Sequence, residues 1–114
     1  MGTIRVVDFA PAPGGRFIAD GPFSGEWFRD NILTEQIREA RKNNTNVVVE
    51  LDDTAGYGSS FLEEAFGGLI RNRIFTSAEL RDTLKVIARK PLYRPYQVLV
   101  EKYMREAKPK IRIM

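Results

Sequence analysis

The sequence predicts a small α/β sandwich, a mixed sheet of about four strands with helices mainly on one face. Strand-like and helix-like segments alternate along the chain, and the helices open on hydroxyl residues suited to capping. Val47-Val48-Val49-Glu50-Leu51 is apolar on both faces, as a covered central strand requires. A length of 114 residues, 43% of them hydrophobic and 29% charged, suits a single domain over residues 1–114 with one core.

Taken in order, Thr3 to Phe9 has the β-branched richness of a strand, and Ala10-Pro11-Ala12-Pro13-Gly14-Gly15 stops it. Arg16-Phe17-Ile18-Ala19 reads as a second strand ending at the Asp20-Gly21-Pro22 turn, so the two suggest a hairpin. Ser24 then caps a helix whose apolar residues Trp27, Phe28, Ile32, Leu33, Ile37 and Ala40 line one face until Asn43-Asn44-Thr45-Asn46 ends it. After the central strand, Ser60-Phe61-Leu62-Glu63 has the form of a capping box that starts a helix burying Phe61, Leu62, Ala65, Phe66, Leu69 and Ile70. Thr76-Ser77-Ala78-Glu79 is a second box, for a helix ending near Thr83. Leu84 to Ala88 alternates as a strand, and its β-branched pair with the following Pro91 favours that reading over a continued helix. From Pro95 the positions Tyr96, Leu99, Val100, Tyr103, Met104 and Ala107 set a last helix, closed by Pro109. The alternating tail Lys110 to Met114 is an edge strand or an interaction tail.

Composition narrows the chemistry. Histidine and cysteine are both absent, which removes the usual zinc and copper ligands, disulfides, and every nucleophile arrangement that depends on histidine. No enzyme, cofactor or metal is expected. Asp52-Asp53 and Glu63-Glu64 match no known metal loop, and the third glycine of a dinucleotide fingerprint starting at Gly56 would fall on Phe61. The N-terminal residues Met1 to Arg5 lack the apolar centre of a secretory leader and no apolar run is long enough to span a bilayer, so the expected location is cytoplasmic. Charge is uneven: residues 1–70 carry 6 basic and 11 acidic groups, net −5, and residues 71–114 carry 12 and 4, net +8. A basic C-terminal part gives a second reading, a nucleic-acid, anion or nucleotide binder, against the plainer one of a solvated surface.

The segment Gly56-Tyr57-Gly58-Ser59-Ser60-Phe61-Leu62-Glu63-Glu64-Ala65-Phe66-Gly67-Gly68-Leu69 is the most informative of the chain. With Ser24-Gly25-Glu26-Trp27-Phe28-Arg29 upstream and Leu84 to Ala107 downstream, it resembles the bacterial STAS-like domain family of unknown function, over most of residues 14–107. More distantly the chain is similar to the anti-sigma-factor antagonists, whose loop carries an Asp-Ser-Ser-Gly-Leu motif. There the first serine is phosphorylated by a partner kinase with a histidine-kinase-type ATPase fold. The resemblance implies Ser59 as candidate phosphoacceptor, with Ser60 beside it, while Gly58 stands in place of the aspartate and Phe61 in place of the glycine. It implies a partner-switching or scaffolding module in signal transduction, with a protein partner of that ATPase kind.

The residues themselves assign Gly56, Gly58, Ser60 and Glu63 to the loop and helix cap, and Tyr57, Phe61, Glu64, Gly67 and Gly68 to a partner surface. Gly67-Gly68 inside a helix costs about 1 kcal/mol per glycine relative to alanine, which calls for close packing or a partner's approach. Phe23, Trp27 and Phe28 near the first helix, with Tyr93 and Tyr96 near the last, belong to core or rim; several exposed together would make a protein-binding patch. A homo-oligomer is compatible with all of this.

Overall fold

The computed structural model describes residues 2–111. Its sheet has three strands, all parallel, in the order β1 (Gly2–Arg5), β2 (Val47–Glu50), β3 (Leu84–Ile87). Val47 and Val49 of β2 are buried while Val48 and Glu50 are half-buried, and β3 repeats the pattern with Leu84 and Val86 buried. In register, Ile4, Val49 and Val86 share one row, and Arg5, Glu50 and Ile87 share the next on the other face. Alternation in step across neighbouring strands puts the helices against one face only.

Two long helices carry most of the core. The first, α2, spans residues 25–42 and follows a single helical turn, α1 (Val6–Phe9). Ser24 caps α2 as expected, its Oγ accepting the Trp27 N–H at 3.1 Å. The second, α3, spans residues 59–71, and each of these long helices contains one π-helical turn, Arg29–Leu33 in α2 and Glu63–Gly67 in α3. Phe28, Leu33, Ile37, Phe61, Phe66 and Leu69 are fully buried between them and the sheet. Each such side chain stabilises the fold by about 1.5–3 kcal/mol relative to exposure. The short helix α4 (Ser77–Thr83) leads into β3, and α5 (Arg94–Glu106) packs against β3 and α3.

Several expectations are corrected. The first strand stops at Arg5, because Val6 and Phe9 turn a helical face to the core and the Ala10 N–H closes that turn on the Val6 carbonyl at 2.9 Å. Residues 16–19 form no strand, and there is no hairpin. Asp20 Oδ2 accepts the Phe17 N–H at 2.8 Å and Glu26 Oε1 accepts the Ile18 N–H at 2.9 Å, so side chains take the bonds that a ladder would have used. Ile18–Asp20 is a 3₁₀ turn instead. The sheet therefore has three parallel strands among the described residues, where a mixed sheet of about four was expected. Lys110 and Ile111 are not in a strand, and the rest of the predicted tail strand lies outside the described residues. The helices from Ser24, Thr76 and Pro95 and the strands at 47 and 84 stand where the sequence placed them.

Gly25 sets the distance between α2 and α3. A methyl built there would collide with the Phe61 carbonyl oxygen and come within 3.1 Å of the Ala65 nitrogen, whereas one on Gly58 meets nothing. Gly25→Ala should therefore destabilise by about 1–3 kcal/mol through overpacking. Gly58→Ala, at an ordinary φ of −71°, should be neutral or raise stability by a few tenths of a kcal/mol, to about 1 at most. Urea unfolding of the two variants beside the parent chain checks the contrast.

Candidate functional site

The loop from β2 to α3 is pinned from below and free at its tip. Asp52 is buried, and its carboxylate accepts the backbone N–H groups of Arg89 at 3.0 Å and Lys90 at 3.0 Å, which ties the ends of β2 and β3 together. Burial alone would push this carboxyl up, but the amides of Lys90 and Arg89 outweigh it and hold the group below the usual aspartate range. Asp53 adopts a left-handed φ of 76° and pairs outward with Arg5 and Lys90. The Tyr93 hydroxyl donates to the Thr54 carbonyl at 2.6 Å, and the Tyr57 hydroxyl donates to that of Leu51 at 2.7 Å. Burial raises the Tyr57 phenol well above its ordinary value, so it stays a neutral donor. Gly56, at φ 121°, passes so close to the Tyr96 hydroxyl that a side chain there would be strained on both counts.

Beyond these anchors Gly58, Ser59 and Ser60 are exposed. The expected capping box does not form. Gly58 is the cap residue, no side chain caps the helix, and Ser59 and Ser60 are already helical. Glu63 does not reach back to the helix start, because two guanidinium groups hold it: Arg16 from the segment before α2 and Arg71 from the end of α3. Charge-assisted pairs of that kind outcompete a neutral amide. At Thr76 both arms form, Thr76 Oγ1 with the Glu79 N–H at 3.1 Å and Glu79 Oε1 with the Thr76 N–H at 2.8 Å, because the one guanidinium nearby, Arg41, stands 3.6 Å off on the other carboxylate oxygen.

Glu64 sits at the centre of a charge network. Its carboxylate takes Arg29, Arg16 at 3.1 Å and Arg71 at 3.0 Å, and Arg29 extends the chain to Asp30 at 2.9 Å. Arg29 and Glu64 each have side chains only 7% exposed. Removing one partner of so buried a pair typically costs about 3–5 kcal/mol. Burial would raise Glu63 and Glu64, yet the arginines hold both below the usual carboxylate range. Gly68 leaves room for the Arg29 guanidinium, 2.6 Å from where a Cβ would stand, and Gly67 lies against Glu63 and the Tyr103 carbonyl. The glycine pair thus serves internal packing.

That packing overturns most of the expected partner surface. Phe61, Glu64, Gly67 and Gly68 are buried, Tyr57 is half-buried, and only the tip of the loop meets solvent. Exposed apolar side chains lie elsewhere, among them Phe17, Ile18, Phe23 and Trp27. Phe9 stacks on Trp27 with ring centroids 5.4 Å apart and meets Phe23 edge-on at 5.7 Å. Phe23 and Trp27 were legible as patch candidates, but Phe17 and Ile18 were hidden by the expectation of a strand. A groove of about 500 Å³ lined by Leu80, Leu84, Val86, Val100 and Met104 opens at the free edge of β3, with none of the loop residues in its wall. Among the described residues no cluster of three metal-ligating side chains occurs and no helix is long and apolar enough to cross a membrane.

A family model described as a STAS-like domain of unknown function matches residues 24–91 of the chain. No curated protein and no solved structure matches it.

Two measurements test this site. Thr76→Ala should cost about 1 kcal/mol in urea unfolding, the value of a lost cap, whereas Ser60→Ala should stay within about 0.5 kcal/mol because its hydroxyl caps nothing. Second, Asp52, Glu63 and Glu64 titrate lower in the folded chain than their ordinary values of 3.8 and 4.5, so their contribution is complete above that range and is lost as pH falls through the folded values. The melting temperature should be flat from about pH 8 to 5 and fall steeply below. Glu63→Gln should lower the plateau and make the acid decline shallower.

Proposed function

The chain belongs to the STAS-like domain family of unknown function, and we propose that it is a regulatory protein-interaction module, not an enzyme, switched by phosphorylation of Ser59. One observation supports the switch above all: Ser59 is exposed at the first position of α3, while the apolar residues that follow it in that helix are packed in the core. A hydroxyl held on a rigid base and open to solvent is what a kinase active site needs to reach. The partner in this reading is a protein kinase of the histidine-kinase-type ATPase fold, which moves the terminal phosphoryl group of ATP to Ser59 Oγ and releases ADP and the serine proton.

The consequence of the modification follows from its surroundings. A phosphoserine carries nearly two negative charges, and Glu63 stands one turn further along the same helix. The helix N-terminus welcomes that charge and Glu63 opposes it, so Arg16, whose side chain is one-third exposed and already bound to Glu63, becomes the cation within reach. A partner surface that includes the loop tip then changes sign locally without unfolding of the core.

Coexpression with a candidate ATPase kinase, followed by mass analysis of peptides, tests the reading. The expected result is one added phosphoryl group on the peptide that carries Ser59, none in Ser59→Ala, and partner binding changed at least about tenfold by Ser59→Asp. An unmodified chain, with binding unaltered in Ser59→Ala and Ser59→Asp, would refute the switch.

A further inference from the structure

Seven large hydrophobic side chains are exposed among the described residues, and six of them fall into two groups. Phe17, Ile18, Phe23 and Trp27, between 36% and 51% exposed, form one. Leu92 and Val98, at 75% and 64%, form the other. Scattered apolar residues on a surface need no explanation, but a contiguous aromatic patch does.

The two groups differ in charge. Around the aromatic group stand Asp20, Glu26 and Asp30, the first two bonded to the backbone of Phe17 and Ile18 themselves. Of the arginines nearby, Arg16 is engaged by Glu63 and Glu64, while Arg29 is shared between Glu64 and Asp30 and offsets Asp30 in part. Near Leu92 and Val98 stands Arg94, while Arg89 and Lys90 face Glu50 and Asp53. On α5 the exposed positions Arg94, Val98, Lys102 and Arg105 follow one another at helical spacing along one side. Between residues 89 and 110 there are 7 basic and 2 acidic side chains, net +5.

These faces do not meet within one molecule. Helix α3 lies between their supports, with Gly25 of α2 packed on Phe61 and Ala65, and Gly67 against the Tyr103 carbonyl of α5. We infer that the chain self-associates head to tail, the acidic aromatic face of one copy receiving the basic α5 face of the next. Leu92 and Val98 supply the apolar contact, and the surrounding charges set orientation and register. A contact between two different faces does not close on itself as a symmetric dimer does, so it continues past the dimer into open chains or closed rings of copies. This association needs no phosphate at Ser59, and its test uses the unmodified chain.

Sedimentation velocity of the full chain from about 1 µM to about 1 mM is the experiment, at roughly 50 mM and 500 mM salt. The expected result is a sedimentation coefficient that keeps rising with concentration past the dimer, association at least about tenfold weaker at high salt, and emission of Trp27, the only tryptophan, shifting to the blue as copies associate. Phe17→Asp and Val98→Asp should each be monomeric, yet a mixture of the two should form a dimer and stop, because each retains the face the other lacks. Circular dichroism checks that both variants fold; should either fail, Lys102→Glu with Arg105→Glu replaces Val98→Asp, and Ile18→Asp replaces Phe17→Asp. A chain that is monomeric throughout, a dimer indifferent to Val98→Asp, or a mixture that stays monomeric would overturn the inference.

Discussion

The ion pair between Arg29 and Glu64 is the contact on which the arrangement of the two long helices depends. Both residues come from π-helical turns, one in α2 and one in α3, and both are almost fully buried. A π turn widens the helix and alters the angle between successive side chains. Here it lets adjacent residues Glu63 and Glu64 converge on the same two guanidinium groups, Arg16 and Arg71. The cost of burying charge is met by completeness: each carboxylate oxygen of the pair faces an arginine, and Arg29 also donates to the Glu64 carbonyl at 3.2 Å. Glycines at 25 and 68 then let the backbones approach closely enough for these bonds to form.

This arrangement divides α3 into parts with different duties. From Phe61 to Ile70 nearly every side chain is committed to the core or to the charge network, and a partner cannot reach them without unfolding the helix. At the other end Asp52, Thr54 and Tyr57 fasten the loop to β3, to Tyr93 and to the end of β2. The loop is thus held at both ends and open in the middle, at Gly58, Ser59 and Ser60. The chain, a member of the STAS-like family, is thus a small parallel sheet with helices against it and an exposed loop tip at the start of α3.

Much of the fold was legible because its signals were local. The apolar spacing of α2 and α5, the run at Val47 and the box at Thr76 each specify their own element, and tertiary contacts did not override them. What failed did so for lack of information on distant partners. Ser60 and Glu63 have the right spacing for a reciprocal cap, but the presence of Arg16, 47 residues away from Glu63, decides otherwise. The same blindness turned Gly67 and Gly68 into partner contacts, since nothing near them in sequence reveals that Arg29 and Tyr103 fill the space. Residues 16–19 have strand composition, and only the carboxylates of Asp20 and Glu26 convert them into a turn. Ser59 was singled out by the family resemblance of its loop and not by the residues alone, which pointed to Ser60 as the cap, whereas Gly58 holds that position.

Arg16 stands between the charge network of α3 and the aromatic face. Its guanidinium bonds Glu63 and Glu64 of α3, while its carbonyl accepts the Glu26 N–H at 3.0 Å and its backbone leads directly into Phe17 and Ile18. A charge placed at Ser59 would arrive one turn from Glu63 and compete with it for the same guanidinium. Of the three arginines in the network Arg16 is the most exposed, its side chain at 32% against 27% for Arg71 and 7% for Arg29. In the proposed switch a phosphate at the loop tip would therefore act on the neighbouring surface through this one side chain, while the core that Arg29 and Glu64 lock together would confine the response.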